Sequence, residues 1–190
     1  MSFTFERLAI PAVVLVKPTV RRDARGFFME TYKRSAFCEA GMTAEFVQDN
    51  ASRSAQNTLR GLHYQLPPAA HAKLVSVVAG EILDVAVDIR RSSPTYGRWV
   101  SAVLSGENHH ALFVPVGFAH GFLVRSETAD VTYKISHEYA PEYDRGILWN
   151  DPALGIDWGA AEPRLSERDQ RQPTLAAADN TFVYDCIRQE

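Results

Sequence analysis

The sequence predicts an all-β protein, a barrel or jelly roll with short helices and a helical tail near its C-terminus. Three observations carry that reading. The run "EILDVAVDI" alternates, with Leu83, Val85, Val87 and Ile89 on one face and Ile82, Asp84, Ala86 and Asp88 on the other, which is the two-residue period of a strand. Other short apolar runs follow at strand length, divided by Gly, Ser, Asn and Glu, as in sandwiches and barrels. Helix signals are confined to two short segments.

From the N-terminus, "RRDARGFF" reads as a charged turn before an aromatic strand. "RSAFCEAG" predicts a short helix closed by Gly41, because a glycine tolerates the left-handed conformation that ends a helix. "KLVSVVAG" predicts a strand, and Ala79-Gly80-Glu81 is short enough for a hairpin turn into "EILDVAVDI". "RWVSAVLS", "HALFVPVG", "HGFLVRS" and "DVTYKIS" are the next strands. "LSERDQRQP" predicts the tail helix, with Ser166 as N-cap, Asp169 three residues on and Pro173 as its stop. No repeat, low-complexity tract or linker divides the chain, so residues 1–190 are expected to form one domain.

Composition narrows the function. An apolar fraction of 46% and a net charge of -3 describe an ordinary globular chain, whose overall field favours neither nucleic acid nor an anionic membrane. The Arg21, Arg22 and Arg25 cluster can still hold a small anion. Cys38 and Cys186 form no CxxC or zinc pattern, and no disulfide framework follows, which suits a reducing cytoplasm. The apolar run from Ala9 to Val16 is broken by Pro11, too short for a membrane span and without the order of a signal peptide.

The chemistry gathers in two places. "FVPVGFAHGF" carries P-x-G-x-x-H in Pro115, Gly117 and His120, where Pro and Gly shape a turn that delivers a histidine to a barrel interior. This resembles the second half of the cupin signature, and cupins are double-stranded β-helices, that is, jelly rolls. A metal-binding cupin also needs H-x-H and a later Glu. Here "HYQ" follows from His63, with Lys73 beyond it. One imidazole and an ammonium make a poor divalent-cation site, since ligands must donate lone pairs, so no metal is expected.

Taken together, "DARGFFMETY", "FVQDNASRS", "LRGLHYQLPP", "KLVSVVAGEILDVAVDIRRSSPTYGRW", "PVGFAHGF", "YAPEYDRGILWNDPALGIDW" and "LSERD" resemble the dTDP-4-dehydrorhamnose 3,5-epimerase family, in order from Asp23 to Asp169. The resemblance implies a metal-free cupin-fold enzyme without a redox cofactor, usually a homodimer, that inverts the two carbons flanking the 4-keto group of a dTDP-sugar. It implies His63 as base, Asp169 as its orienting partner, Lys73 beside the enolate oxygen and Tyr133 as acid on the other face. An imidazole is apt for the first role because it titrates near about pH 6.5. For substrate binding the resemblance carries over to Arg25, Glu30, Gln48, Asp49, Asn50, Arg60 and His120. Phe27 or Tyr139 would stack on a ring, and Arg60 has the planar fork that suits a diphosphate. In that family an N-terminal segment crosses to the partner subunit, so the resemblance leaves open whether Arg25 and Glu30 serve their own pocket or the partner's. Asp144 and Arg168 stand where the family often has Glu and Lys, which keeps charge and changes reach. His71 has no role in this pattern.

Each residue also has a plainer reading. His63 at a strand end can be structural, Asp169 can be the third residue of a capped helix, Tyr133 can be core packing and Lys73 an edge charge. An epimerase of C3 or C5 alone and a non-catalytic sugar-nucleotide binder remain open. Arg60 and His63 pose a geometric problem, because residues three apart on a regular strand face opposite ways. Both can face one pocket only if Gly61 marks a bulge that resets the alternation.

Overall fold

Alternation sorts the strands into faces, and two sheets stack on the faces so defined. The computed structural model describes residues 2–184. Its strands are β1 (Phe3–Arg7), β2 (Val14–Pro18), β3 (Arg21–Asp23), β4 (Gly26–Phe28), β5 (Gln48–Ala55), β6 (Leu59–Gln65), β7 (Lys73–Ala79), β8 (Glu81–Asp88), β9 (Trp99–Ser105), β10 (Ala111–Val114), β11 (Phe118–Val124), β12 (Thr128–Ile135) and β13 (Asp144–Gly146). One sheet runs β1-β2-β10-β7-β12-β5, the other runs β13-β6-β11-β8-β9, and β3-β4 forms a separate exposed arm. The expected all-β jelly roll is present.

Val75, Val77, Leu112 and Val131 of the first sheet pack with Ile82, Ala86, Phe118 and Phe122 of the second to fill the interior. The opposite face of β8, Leu83, Val85 and Val87, is buried too, beneath Trp158, Leu175 and Phe182 from the C-terminal segment. Hence the more apolar face of "EILDVAVDI" points outward, and the face bearing Asp84 and Asp88 looks into the barrel. Helix α1 (Arg34–Glu39) covers the outer face of the first sheet, with Phe37 packed near Val16 and Leu74.

Two expectations change on inspection. Strands β7 and β8 do not pair as a hairpin; β7 bonds to β10 and β12, whereas β8 bonds to β9 and β11. The turn at Gly80 hands the chain from one sheet to the other. A side chain there would collide with the Thr128 carbonyl, so the close passage selects glycine. The C-terminal helical tail is a single turn, α2 (Glu167–Gln170), capped by Ser166 Oγ, which accepts from the Asp169 amide at 3.1 Å. Beyond it the chain follows the outer face of the second sheet in turns. Cys38 is free and exposed, and Cys186 lies outside the described residues. Among the described residues no helix is long and apolar enough to cross a membrane.

The irregularity expected at Gly61 is present. His63 pairs with His120 and Arg60 with Phe122, so three steps on β6 match two on β11. Gly61 has a φ of +140°, and a Cβ there would lie 2.5 Å from Gly121 Cα. Gly61→Ala should therefore cost about 2–4 kcal/mol through backbone conflict and lost pairing, read as a lower urea midpoint. Gly155→Ala, at a position with nothing within 4 Å of the new Cβ, should cost clearly less.

Candidate active site

The bulge turns Arg60 and His63 to the same side, while their outward neighbours Leu59, Leu62 and Tyr64 join the core behind the sheet. Between the sheets lies a cavity of about 450 Å³ walled by Arg60, His63, Lys73, His120, Tyr133 and Asp169. A second lobe of about 330 Å³ shares His63, Lys73, Tyr133 and Arg168 and adds Gln48, Asn50, Tyr139 and Asp144. Lys73 is on the barrel-facing register of β7 with Val75 and Val77, and His120 is on that of β11 with Phe118 and Phe122.

Asp169 lies 106 residues after His63, and the fold closes the gap: His63 Nε2 is 2.6 Å from Asp169 Oδ1. The carboxylate is 3% exposed. Burial pushes its pKa up, but the hydrogen bond and charge of His63, with help from Ser166 and the Gly61 amide, outweigh that and hold it below the usual carboxylate range. An ionised, fixed Asp169 orients the ring.

A second imidazole–carboxylate pair sits deeper. His120 Nε2 is 2.7 Å from Asp84 Oδ1, and the other Asp84 oxygen has no partner. Burial, ahead of the opposing pull of Asp84, lowers the pKa of His120. Asp84 belongs to the site although no motif marked it; its one sequence signal is an acidic residue on the interior face of a buried strand. Arg164 also lines the cavity, without any signal in its loop.

Lys73 is enclosed, and its Nζ donates only a long bond, 3.4 Å, to the His63 carbonyl. Burial lowers its pKa to about 8, although Asp144 and Asp84 pull the other way. Tyr133 has its pKa raised by burial, with Arg60 opposing and Asp144 adding to the rise. The Arg60 Nε donates to Ser54 Oγ at 3.0 Å, which ties down the guanidinium at the cavity wall. Asp144 Oδ2 accepts from Tyr139 Oη at 2.9 Å and from Arg168 Nη1 at 2.6 Å. Burial raises the Asp144 pKa, yet those partners bring it below the usual range. Gln48 Oε1 accepts from the Tyr139 amide, and Gln48 Nε2 donates to Asn50 Oδ1.

Four expected binding residues do not reach this cavity within one chain. Asp49 alternates to the outer face of β5, 71% exposed, and accepts from Lys134 Nζ at 2.8 Å. "QDN" is a strand segment, so its middle residue faces away from its neighbours. Arg25 is tied to Asp23 at the tip of the arm, Phe27 stacks near His109 with ring centroids 4.6 Å apart, and Glu30 lines a small separate recess beside Arg21. Among the described residues no group of three His, Cys, Asp or Glu is placed to hold a metal ion.

Comparison with known proteins places the chain in a family. Residues 7–177 match the family model described as dTDP-4-dehydrorhamnose 3,5-epimerase. A Pseudomonas aeruginosa protein of that name is 54% identical over 91% of this chain and 96% of its own length. A Shigella flexneri protein of the same name is 50% identical over 90% of this chain and 94% of its own. The crystal structure of dTDP-6-deoxy-D-glucose-3,5-epimerase from Legionella pneumophila, in complex with dTDP-4-keto-L-rhamnose, superposes with a TM-score of 0.93 at 43% identity, covering 96% of this chain and 99% of that one.

The electrostatics make one direct prediction. The Lys73 ammonium should lose its proton near pH 8, against about 10.4 for an ordinary lysine, followed by NMR of its Nζ resonance. Asp144→Asn removes a charge that raises this pKa, so the midpoint should move further down.

Proposed function

The chain belongs to the dTDP-4-dehydrorhamnose 3,5-epimerase family, and we propose that its reaction runs on His63, Asp169, Lys73 and Tyr133. It is an isomerase that inverts C3 and C5 of dTDP-4-dehydro-6-deoxy-D-glucose to give dTDP-4-dehydro-L-rhamnose. His63 takes the proton from a carbon next to the C4 ketone, and Asp169 balances the imidazolium that results. The electron pair moves onto the ketone oxygen, where the Lys73 ammonium stabilises the enolate. Tyr133 then protonates the same carbon from the opposite face, and solvent returns a proton to the phenolate and removes one from His63. Two such passages, one at each carbon, complete the reaction.

One observation carries this assignment. His63 stands on β6 of one sheet and Tyr133 on β12 of the other, across a shared cavity. A planar enolate lying between the sheets has the base on one face and the acid on the other. Burial keeps the Tyr133 hydroxyl protonated, as a donor must be, and a preorganised cation at the developing oxyanion is worth roughly 10²–10³-fold.

For the rest of the ligand we assign Arg60 to the diphosphate, Tyr139 to ring stacking, and Gln48, Asn50, His120, Asp144 and Arg168 to positioning. The whole chain works as one cupin-type domain in a homodimer, and the cytoplasm suits its free, exposed Cys38. The dimer reading rests on a groove of about 530 Å³ on the outer face of the first sheet, walled by Val16, Leu74, Ala111, Phe27 and Met29. Beside it Phe28 is 68% and Val78 66% exposed. A second copy would cover these side chains and bring Arg25, Phe27 and Glu30 to the partner's pocket.

His63→Asn should lower kcat about 10²–10⁴-fold and abolish exchange of substrate hydrogens with solvent. Tyr133→Phe should lower product formation by a similar factor while proton abstraction continues, giving exchange without inversion. Equal loss of exchange in both variants would contradict the division of roles. Because Lys73 acts as a cation, kcat/KM should fall about tenfold per pH unit above about pH 8, and Lys73→Arg should move that limb upward.

A further inference from the structure

His71 occupies the loop 66–72 and lines the second lobe of the cavity with Lys73, Tyr133, Gln48 and Asp144. Neither Nδ1 nor Nε2 has a hydrogen-bond partner, and neither is reached by solvent. Buried polar atoms are nearly always paired, so two orphans on one ring need a reason. Burial, and after it the Lys73 charge, lower the His71 pKa to about 3. At working pH the ring is therefore neutral, with one N–H donor and one lone pair.

A half-turn about χ2 exchanges Nδ1 with Cδ2 and Nε2 with Cε1 within the same volume, and this torsion is soft and roughly two-fold. The ring can thus present its polar edge to the lobe without rebuilding the loop. We propose that His71 is a specificity-determining residue that, with its ring turned to the cavity, hydrogen-bonds a hydroxyl of the bound hexose through one ring nitrogen. A hydroxyl can donate or accept, so it suits whichever nitrogen the neutral imidazole presents to the lobe. The sugar end of the ligand is indicated because His71 precedes Lys73 by two residues and shares a wall with Lys73 and Tyr133. The inference rests on the epimerase reading and adds a contact that the proton-transfer steps do not require.

The test compares His71→Leu, which removes both polar functions at similar size, with His71→Gln, whose amide restores a donor and an acceptor. Turnover of the dTDP-4-keto-6-deoxy sugar and the Kd for dTDP alone are measured for both variants and for the unaltered protein. His71→Leu should lower kcat/KM about 10- to 100-fold, mainly through KM. His71→Gln should recover to within about threefold, and the Kd for dTDP should stay within about twofold throughout. Unchanged kcat/KM in His71→Leu, equal losses in both variants, or a matching loss of dTDP affinity would each overturn the proposal. Should His71→Leu lack a cooperative thermal transition, His71→Met takes its place under the same criteria. If the unaltered protein fails to turn over the sugar, the epimerase reading falls, and the contact is then judged by comparing the affinity of the sugar nucleotide in His71→Leu and in the unaltered protein.

Discussion

The back-to-back approach of Gly61 and Gly121 sets the geometry on which the site depends. A strand alternates its side chains strictly, so Arg60 and His63 could not both enter the barrel if β6 were regular. The extra residue opposite β11 resets the alternation, and it fits because neither backbone carries a Cβ at the crossing. Leu62, immediately after the bulge, stays in the outer core and anchors the strand. Local irregularity and global packing therefore serve one another: the core holds the bulge, and the bulge aims two functional side chains.

The cavity so formed is expensive to keep. Lys73 is enclosed with a single long hydrogen bond, Asp84 leaves one oxygen unpartnered, and His71 leaves two nitrogens so. A buried polar atom without a partner costs about 1–3 kcal/mol. The surrounding apolar layers, one between the sheets and one outside each sheet, offset that cost. Low polarity also works for the chemistry, since it strengthens each interaction with developing charge. Carboxylates flank the cations without quenching them: Asp169 is committed to His63, Asp84 to His120, and Asp144 to Arg168 and Tyr139.

Much of this was legible in the sequence, for reasons that particular residues make plain. The alternation of "EILDVAVDI" sorted the two faces of β8 correctly, and Pro115-Val116-Gly117 announced the turn that brings His120 inward, where Gly117 has a φ of +85°. The N-cap role of Ser166 was visible from local chemistry. What local chemistry could not supply was contact between distant segments. The 106-residue separation of His63 and Asp169 is closed only by tertiary structure, and the family resemblance, not spacing, pointed to the pair. Reading "QDN" as a block hid the fact that Asp49 must face away from Gln48 and Asn50. The passage from β7 to β8 looked like a hairpin because a tight turn at Gly80 serves equally well to change sheets. Asp84, Arg164 and His71 carry no motif, and only three-dimensional placement brings Arg164 and His71 to the cavity wall and Asp84 to His120.

The central claim is that a carbanion-like intermediate forms next to the ketone, between His63 and Tyr133. Its most direct test is the reaction of the unaltered protein with dTDP-4-dehydro-6-deoxy-D-glucose in D₂O, with C3 and C5 followed by NMR. The account predicts deuterium at both carbons of the L-configured product, because each new proton comes from a group in exchange with solvent. An inverted product that keeps its original hydrogen at C3 and C5 would contradict it.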